Sequence, residues 1–284
     1  MIVKPYLDIG PWSLTVYTLS HAAGVLAAGA LCLRELTRSG LSTRRALGTL
    51  VLFLVCAQAG AHVYHVAVHP VPSPGEAHAL FDFWNRGLAL HGGLVGAGLA
   101  IFLAAALWKR SPWQLADIFA APAALALFFF RLGCYSRGCC HGLPCGEDFF
   151  LAGWSVKLIR NVETSLHPTQ LYAAAADLVL FALLWAGRRR KLFEGQAVIF
   201  FLLFYSTQRF CIGFLRASYL EAEARLSFLA LPLARDQLFA LAFFALGLLL
   251  LVMRRRALRD GLASRRLRRK SRRARGAAGR PDRT

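Results

Sequence analysis

The sequence predicts an all-α membrane protein with about seven transmembrane helices. Of its 284 residues, 57% are hydrophobic, and the mean hydropathy is +0.47. Apolar runs long enough to cross about 30 Å of hydrocarbon recur along the whole chain. Because backbone polar groups within a bilayer must be satisfied internally, each run is predicted to be a helix.

The apolar runs are separated by polar connections and define the order of the predicted elements. The seven predicted spans are 12–33, 46–66, 88–108, 115–133, 168–187, 196–216 and 237–253. The longest loop, about 134–167, separates the fourth span from the fifth. We predict a single membrane domain over residues 1–253. The tail, 254–284, is too polar to pack and is expected to be disordered.

The distribution of lysine and arginine predicts the orientation of the chain. These residues are concentrated in alternate connections and in the tail, which places the N-terminus outside and the C-terminus in the cytoplasm. The tail alone holds 14 basic and 2 acidic residues of a chain whose net charge is +19. Since these charges follow a membrane span directly, we expect the tail to bind anionic membrane lipids and no nucleic acid.

Two arginines fall inside apolar runs, where a charge is costly unless it has a function. At about 1.5 Å per residue, Arg131 lies about 24 Å and Arg209 about 20 Å from the cytoplasmic starts of their spans. Tyr17 and His91 fall in the same outer half of the bilayer. With no evident carboxylate in the spans, the two guanidiniums are expected to bind an anion, such as a phospholipid phosphate.

Further polar and small residues occur near the outer ends of the spans. His91 can accept a proton near neutral pH, although a hydrogen bond between helices is an alternative role. Gly92 and Gly93 allow a neighbouring helix or a lipid to approach the backbone closely. Gln170 and Tyr172, in the first turn of the fifth span, can hydrogen-bond inward.

Short motifs in register along the chain resemble the prolipoprotein diacylglyceryl transferase family. The resemblance covers residues from about 10 to 253. The motifs are Gly10-Pro11 with Tyr17, Leu90-His91-Gly92-Gly93-Leu94, Asp117 with Arg131-Leu132-Gly133, His167-Pro168-Thr169-Gln170-Leu171-Tyr172, Arg209-Phe210 with Phe214-Leu215-Arg216, and Asp236-Gln237.

The resemblance implies transfer of the diacylglyceryl group of phosphatidylglycerol to a lipobox cysteine thiol of prolipoproteins, with release of glycerol phosphate. It also implies a multi-pass protein of the bacterial cytoplasmic (inner) membrane and no metal or other cofactor. Arg131 and Arg209 would hold the phosphate and stabilise the leaving group. His91 or Tyr17 would position or deprotonate the thiol. The implied substrate-binding residues are Gly92, Gly93, Gly133, Cys134, Arg137, Gln170, Tyr172 and Arg216.

Four positions depart from the motifs of that family. Cys134 stands where an asparagine follows Arg-x-Gly, and Arg137 stands at the next asparagine position. Ala173 and Gly213 stand where the family has glutamates. Carboxylates beside arginines commonly fix the orientation of the guanidinium. We therefore expect either a site rebuilt around the cysteines or a changed substrate.

Four of the seven cysteines lie together on the predicted outer side, and three roles remain open for them. Two disulfides could brace the loop, the thiols could bind a metal, or they could be free covalent acceptors. Their Cys-x4-Cys-Cys-x4-Cys spacing differs from the Cys-x2-Cys of most zinc sites. The residues concerned are Cys134, Cys139, Cys140 and Cys145, with His141, or alternatively His62, His65 and His69, as histidine ligands.

The lipid transferase is the favoured function, and two alternatives remain. One is a membrane thiol-redox or metal-handling protein that uses the same scaffold. The other is a non-catalytic lipid binder, which Ala173 and Gly213 suggest. A redox protein would tolerate Arg131→Ala but lose function on Cys139→Ser, whereas a transferase should show the reverse.

Overall fold

A computed structural model describes residues 6–9, 12–68, 90–146, 148–151, 165–216, 225–228 and 231–278. Within these ranges the chain forms seven helices and two antiparallel hairpins. The first hairpin pairs β1 (Tyr6–Ile9) with β2 (Trp12–Thr15), and the second pairs β3 (Arg225–Phe228) with β4 (Leu231–Ala234). The helices are α1 (Val16–Arg38), α2 (Thr43–Val68), α3 (Leu90–Trp108), α4 (Pro112–Arg137), α5 (Thr169–Gly187), α6 (Gln196–Gly213) and α7 (Arg235–Ala278).

The helices confirm the predicted class of all-α membrane protein. Six of those described are long and apolar enough to cross a membrane. The remaining helix, α3, contributes a shorter apolar stretch, Gly92–Trp108. Each predicted span coincides with one helix, so the apolar runs located all seven elements.

One end of each of two predicted spans, the first and the sixth, was wrong. Residues 12–15 form strand β2, and α1 begins after Thr15, whose hydroxyl accepts a hydrogen bond from the Thr18 N–H at 3.1 Å. Helix α6 ends at Gly213, so Arg216 lies beyond it, in a β-bridge with Gly142. These differences arise because caps and backbone pairing, rather than hydropathy, determine where a helix ends.

The last helix differs most from its prediction. Instead of ending near residue 253, α7 continues to Ala278, through most of the tail that the sequence analysis expects to be disordered. Arginine, alanine, leucine and lysine all favour helix, and no proline occurs in the tail before Pro281. Nothing local therefore stops the helix where the apolar run ends.

Helix α4 lies at the centre of the bundle. Of its most apolar window, 44% is buried, compared with 11% for α1 and 17% for α7. One buried cluster joins α4 to α5 and α6, and it includes Ala124, Leu180 and Phe201. A second cluster, which includes Leu36 and Leu115, joins α4 to α1, α2 and α3. Residues carried by α4 are therefore held from several sides.

At the predicted cytoplasmic end, Asp117 fastens α4 to the start of α6. Its carboxylate accepts hydrogen bonds from the N–H groups of Gly195 and Val198 and from the ammonium of Lys191, each at 3.0 Å. An acidic side chain at a helix N-terminus satisfies free N–H groups and complements the helix dipole. Asp117 thus has a structural role, and it lies about 21 Å from Arg131 along the axis of α4.

Candidate active site

The guanidinium of Arg131 lies beside a buried carboxylate between α4 and α5. Its Nε is 3.8 Å from Oδ2 of Asp177, and their side chains are 12% and 0% exposed. Gln208, on α6, donates a 2.6 Å hydrogen bond to Oδ1 of the same aspartate. The expectation that no carboxylate in the spans accompanies Arg131 was therefore wrong. Asp177 is one of the site residues that were not predicted.

Arg209, on α6, also has an acidic partner. It forms a salt bridge with Asp236, in the first turn of α7. The backbone carbonyl of the next residue on α6, Phe210, accepts a hydrogen bond from the buried Gln237. Both arginines are consequently held by carboxylates, although Ala173 and Gly213 replace the glutamates of the related family.

Tyr205 lies between these two pairs. Its side chain is 4% exposed and stacks on Phe201. Its hydroxyl is close enough to interact electrostatically with both arginines and with both aspartates. Tyr205 was not predicted, because a tyrosine in an apolar helix gives no signal of its own.

Several buried polar atoms around Tyr205 make no hydrogen bond within the described part of the chain. Buried polar groups are normally paired, so a group of unpaired atoms indicates a place where a polar ligand or water binds. Among them, the guanidinium N–H and the two hydroxyl groups can donate to an anionic headgroup, whereas the carboxylate and amide oxygens can accept from water or from a hydroxyl of the ligand. The atoms are Nε of Arg131, Oδ2 of Asp177, Oη of Tyr205, Oγ of Ser206 and Oε1 of Gln208.

Tyr17 lies in the first turn of α1, facing the C-terminal end of α4. The guanidinium of Arg137 lies over its ring, 5.1 Å from the centroid, in a cation–π contact. His21, one turn along, donates from Nδ1 to the Tyr17 carbonyl oxygen at 2.9 Å. The structure thus brings Tyr17 and Arg137 together and adds His21, which was not predicted.

Gly133 makes close contact between α1 and α4 possible. A Cβ at this position would lie 2.9 Å from Nδ1 of His21. The His21 ring also stacks on Phe130 with a centroid distance of 4.5 Å. This packing fixes the His21 ring and leaves Nε2 available as an acceptor in the neutral tautomer.

Three cysteines meet just after the end of α4. Cys134 belongs to its last turn, Gly138 ends the helix with a φ of 69°, and Cys139 and Cys140 follow. The sulfur atoms of Cys134, Cys139 and Cys140 all lie within 4.8 Å of one another. Cys145 does not join this group, although it lies in the same loop.

None of the seven cysteines, all of which the structure describes, forms a disulfide. The two disulfides considered for the loop are therefore absent from the structure, in which three sulfurs converge rather than two pairs. Hydrogen bonds from the thiols of Cys134 and Cys139, followed by the charges of Arg216 and Arg131, lower the pKa of the Cys140 thiol, against the opposing effect of burial. One thiolate is consequently favoured within the group.

The first turn of α5 holds the cysteine loop in place. The hydroxyl of Thr169 donates to the Cys140 carbonyl at 2.8 Å, and the amide of Gln170 donates to the Cys139 carbonyl at 2.6 Å. Gln170 thus points inward, as predicted, and its described contact is with the loop. Tyr172 shares a 3.2 Å hydrogen bond with Nδ1 of His167.

Arg216 joins the opposite side of the same loop. Its backbone forms an antiparallel bridge with Gly142, and the Leu143 N–H donates to the Leu215 carbonyl at 2.8 Å. Its Nε is buried and makes no hydrogen bond within the described part of the chain. The Arg216 charge also acts on Arg209 and on Cys140. Arg216 therefore links the arginine site to the cysteines.

The glycines after His91 pack α3 against α2. A Cβ at Gly92 would collide with the Gly60 carbonyl and with the Tyr64 side chain. Gly92 therefore permits the close approach of α3 to α2, which is one of the two roles predicted for it. The backbone of His91 lies in the first turn of α3, and its side chain is outside the described residues. The same holds for the His65 side chain and for His69, so the histidine metal site stays a prediction.

The fold and the site together define a multi-pass membrane protein with a buried, arginine-rich polar site near one end of its helices. A family model described as prolipoprotein diacylglyceryl transferase matches residues 4–253. The chain belongs to this family, and it is a membrane transferase.

Relatives from two bacteria support this assignment over nearly the full length. The phosphatidylglycerol–prolipoprotein diacylglyceryl transferase of Rhodospirillum rubrum is 30% identical over 272 residues, which cover 90% of this chain and 93% of the relative. That of Geobacillus kaustophilus is 31% identical over 266 residues, with 89% and 92% covered. The family suggested by the sequence motifs is thus confirmed.

Proposed function

We propose that this protein transfers the diacylglyceryl group of phosphatidylglycerol to the lipobox cysteine of prolipoproteins, in the cytoplasmic membrane of a bacterium. The observation that carries the proposal is the group of buried charges around Tyr205. Two guanidiniums and a tyrosine hydroxyl meet there, within an apolar bundle. An anionic lipid headgroup can enter from the bilayer itself, which suits a site enclosed by spanning helices.

In this reaction the arginines stabilise the leaving group. The acceptor thiol loses its proton, and its sulfur attacks the glyceryl carbon that is bonded to the phosphate oxygen. The carbon–oxygen bond breaks, and its electron pair leaves with glycerol phosphate. Arg131 and Arg209 hold the phosphate as negative charge develops on it, a form of preorganised electrostatic stabilisation. Asp177 and Asp236 keep the guanidiniums in place.

The thiol is expected to reach the glyceryl carbon from the side of the cysteine loop. Tyr17 and His91 remain the proposed groups that position or deprotonate it, and His21 is a further candidate base. Gly92, Gly93, Gly133, Cys134, Arg137, Gln170, Tyr172 and Arg216 are proposed to shape the lipid and peptide pockets. Gly92 acts through helix packing, and Gln170 acts through the cysteine loop.

We further propose that residues 1–253 form the catalytic membrane domain and that the basic residues of 254–284 bind anionic lipids. Arg254 begins this segment by donating from Nε and Nη2 to the Glu194 carbonyl, at 3.1 and 2.9 Å. The basic helix thus leaves the bundle beside the loop between α5 and α6. Attraction of such a segment to an anionic surface contributes about 1 kcal/mol per basic residue close to the headgroups.

A lipidation assay tests the proposal. Purified protein, phosphatidylglycerol and a lipobox peptide should yield glycerol phosphate together with a peptide whose mass rises by one diacylglyceryl group. Arg131→Ala and Arg209→Ala should each lower turnover by about 10²–10³-fold, as loss of a preorganised charge does. Arg189→Ala, an exposed arginine at the other end of the bundle, is the matched control. Folded wild-type protein that binds lipid but transfers nothing would contradict the proposal.

A further inference from the structure

The three sulfurs of Cys134, Cys139 and Cys140 have the arrangement of a set of metal ligands. They lie within 4.8 Å of one another at the C-terminal end of α4. With zinc–sulfur bonds of about 2.3 Å, three thiolates on one ion lie about 4 Å apart. Side-chain rotations that move each sulfur atom by a few tenths of an ångström therefore bring all three within bonding distance of a single ion.

The backbone that carries these sulfurs is held in an unusual conformation. Cys140 has a φ of 59°, in a region that non-glycine residues rarely adopt. Thr169 donates a hydrogen bond to the Cys140 carbonyl, and Gln170 donates one to the Cys139 carbonyl. Thr169 and Gln170 are only 2% and 1% exposed. Such conformations persist where the surroundings over-determine them, and they cluster at functional sites. The cysteine group is thus a built site rather than a chance meeting of thiols.

The number of ligands indicates the kind of metal site. Structural zinc sites close the coordination sphere with four protein ligands, whereas catalytic zinc sites have three and leave one position open. Within the described part of the chain, the group of metal-ligating side chains contains only these three cysteines. Thiolates favour zinc or copper(I) over hard cations such as magnesium. Zinc has no redox chemistry of its own, which suits a reaction that involves no change of redox state.

We propose that Cys134, Cys139 and Cys140 bind one zinc ion, and that the acceptor thiol of the prolipoprotein becomes its fourth ligand. This inference rests on the proposed function, because diacylglyceryl transfer requires a thiolate nucleophile. A thiol that coordinates zinc is deprotonated outright. The zinc site thereby activates the acceptor thiol more directly than a general base such as Tyr17 or His21 would, and it departs from the cofactor-free reaction that the family resemblance implied.

The step balances without any redox partner. On binding zinc, the acceptor S–H releases its proton to solvent or to a nearby base. The zinc-bound sulfur then forms a bond to the glyceryl carbon as the bond from that carbon to the phosphate oxygen breaks. The electron pair leaves on glycerol phosphate. The thioether product is a weaker ligand than the thiolate, so it dissociates and reopens the fourth position.

The surrounding charges fit both parts of this step. Four thiolates on Zn²⁺ carry a net charge of −2, and Arg131 and Arg216 act electrostatically on Cys140 while Arg137 acts on Cys139. Arg131 also lies in the proposed phosphate site, so one cation faces the zinc-bound nucleophile and the leaving group. This position places the acceptor sulfur beside the phosphate end of the lipid.

Metal analysis of the purified full-length protein is the first test. After incubation with Zn²⁺ and removal of free ion, wild type and Cys145→Ser should retain about one zinc per chain. Cys134→Ser, Cys139→Ser and Cys140→Ser should each lose most of it. Cys145 is the matched control because it lies in the same loop outside the group. Wild type without zinc, or equal zinc in all variants, would overturn the proposal.

Cobalt substitution keeps the proposal testable even where a serine variant does not fold. Wild type loaded with Co²⁺ should show thiolate-to-metal charge-transfer absorption, and its absence would overturn the metal site. A lipobox peptide should change this spectrum, whereas the same peptide with serine in place of cysteine should not. An identical spectrum with both peptides would contradict the role of the acceptor as fourth ligand.

Activity separates this inference from the function on which it rests. Chelation should abolish transfer, and Zn²⁺ should restore it. Full transfer by metal-free protein would overturn the zinc proposal and leave the transferase intact. Conversely, zinc binding and thiol coordination without any transfer would sustain the metal site and contradict the proposed function.

Discussion

Asp177 is fully buried, and it lies beside a guanidinium that is itself almost entirely removed from solvent. Removing one partner of such a pair leaves an uncompensated buried charge, which costs about 3–5 kcal/mol. We therefore expect Asp177→Ala to lower the free energy of unfolding by about that amount, measured by denaturant titration in detergent micelles.

Asp236→Ala is the matched control for this prediction. The Asp236 side chain also pairs with an arginine, but it is 34% exposed, so solvent screens the charge that remains. Its loss should cost clearly less stability than the loss of Asp177. Equal destabilisation by both variants would show that burial of the carboxylate does not determine its contribution.

Tyr205 offers a test at the level of a single hydroxyl. Tyr205→Phe keeps the ring that stacks on Phe201 and removes an Oη atom that has no hydrogen-bond partner in the described chain. Stability should change little. If the hydroxyl binds the lipid phosphate, a charge-assisted hydrogen bond of about 1.5–3 kcal/mol is lost, which corresponds to about 10–100-fold in kcat/KM. Unchanged kcat/KM in the lipidation assay would exclude that contact.

The residues of the site were predictable to different degrees. Asp177 follows Ala173 by one helical turn, so both occupy one face of α5, and the carboxylate that the motif lacks could have been found there. The partnership of Arg209 with Asp236 joins two helices, and no local pattern reveals it. The three sulfurs were visible as a cluster in the sequence, but their convergence depends on the left-handed turn at Gly138 and Cys140.

At the scale of elements, the contact between α2 and α3 depends on the absence of side chains. Gly92→Ala would place a methyl group against the Gly60 carbonyl, which should destabilise the protein by about 1–3 kcal/mol through overpacking. Gly98→Ala, on the same helix, meets nothing within 4 Å and should leave stability unchanged or raise it by up to about 1 kcal/mol. Thermal unfolding of both variants measures the difference, and equal melting temperatures would contradict it.

Hydropathy located the helices well but not the structures between them. Each apolar run corresponds to one helix because the bilayer leaves the backbone no other solution. The two hairpins were not predicted, since four-residue strands leave no periodic signal distinct from the neighbouring spans. The extent of α7 was also missed, because an arginine-rich segment reads as solvated chain whether or not it is helical.

At the scale of the whole molecule, the charge distribution makes a prediction about orientation. The basic residues before α2, before α4 and after α5 should lie in the cytoplasm together with the end of α7. A fluorescent protein fused after residue 284, of a kind that matures only in the cytoplasm, should therefore fluoresce. A periplasm-dependent phosphatase fused at the same point should be inactive. The opposite pair of results would invert the topology and move the proposed site to the cytoplasmic face.

The Asp117 fastening lies at the far end of α4 from the arginines, and this separation has a consequence for inherited variation. Changes near Asp117 act on whether newly made chains assemble and escape degradation, so they alter how many molecules a cell keeps. Changes around Tyr205 alter what each surviving molecule accomplishes. Two bacterial populations with the same shortage of mature lipoproteins can therefore differ in cause. One contains few folded transferase molecules, and the other contains many folded molecules of low activity.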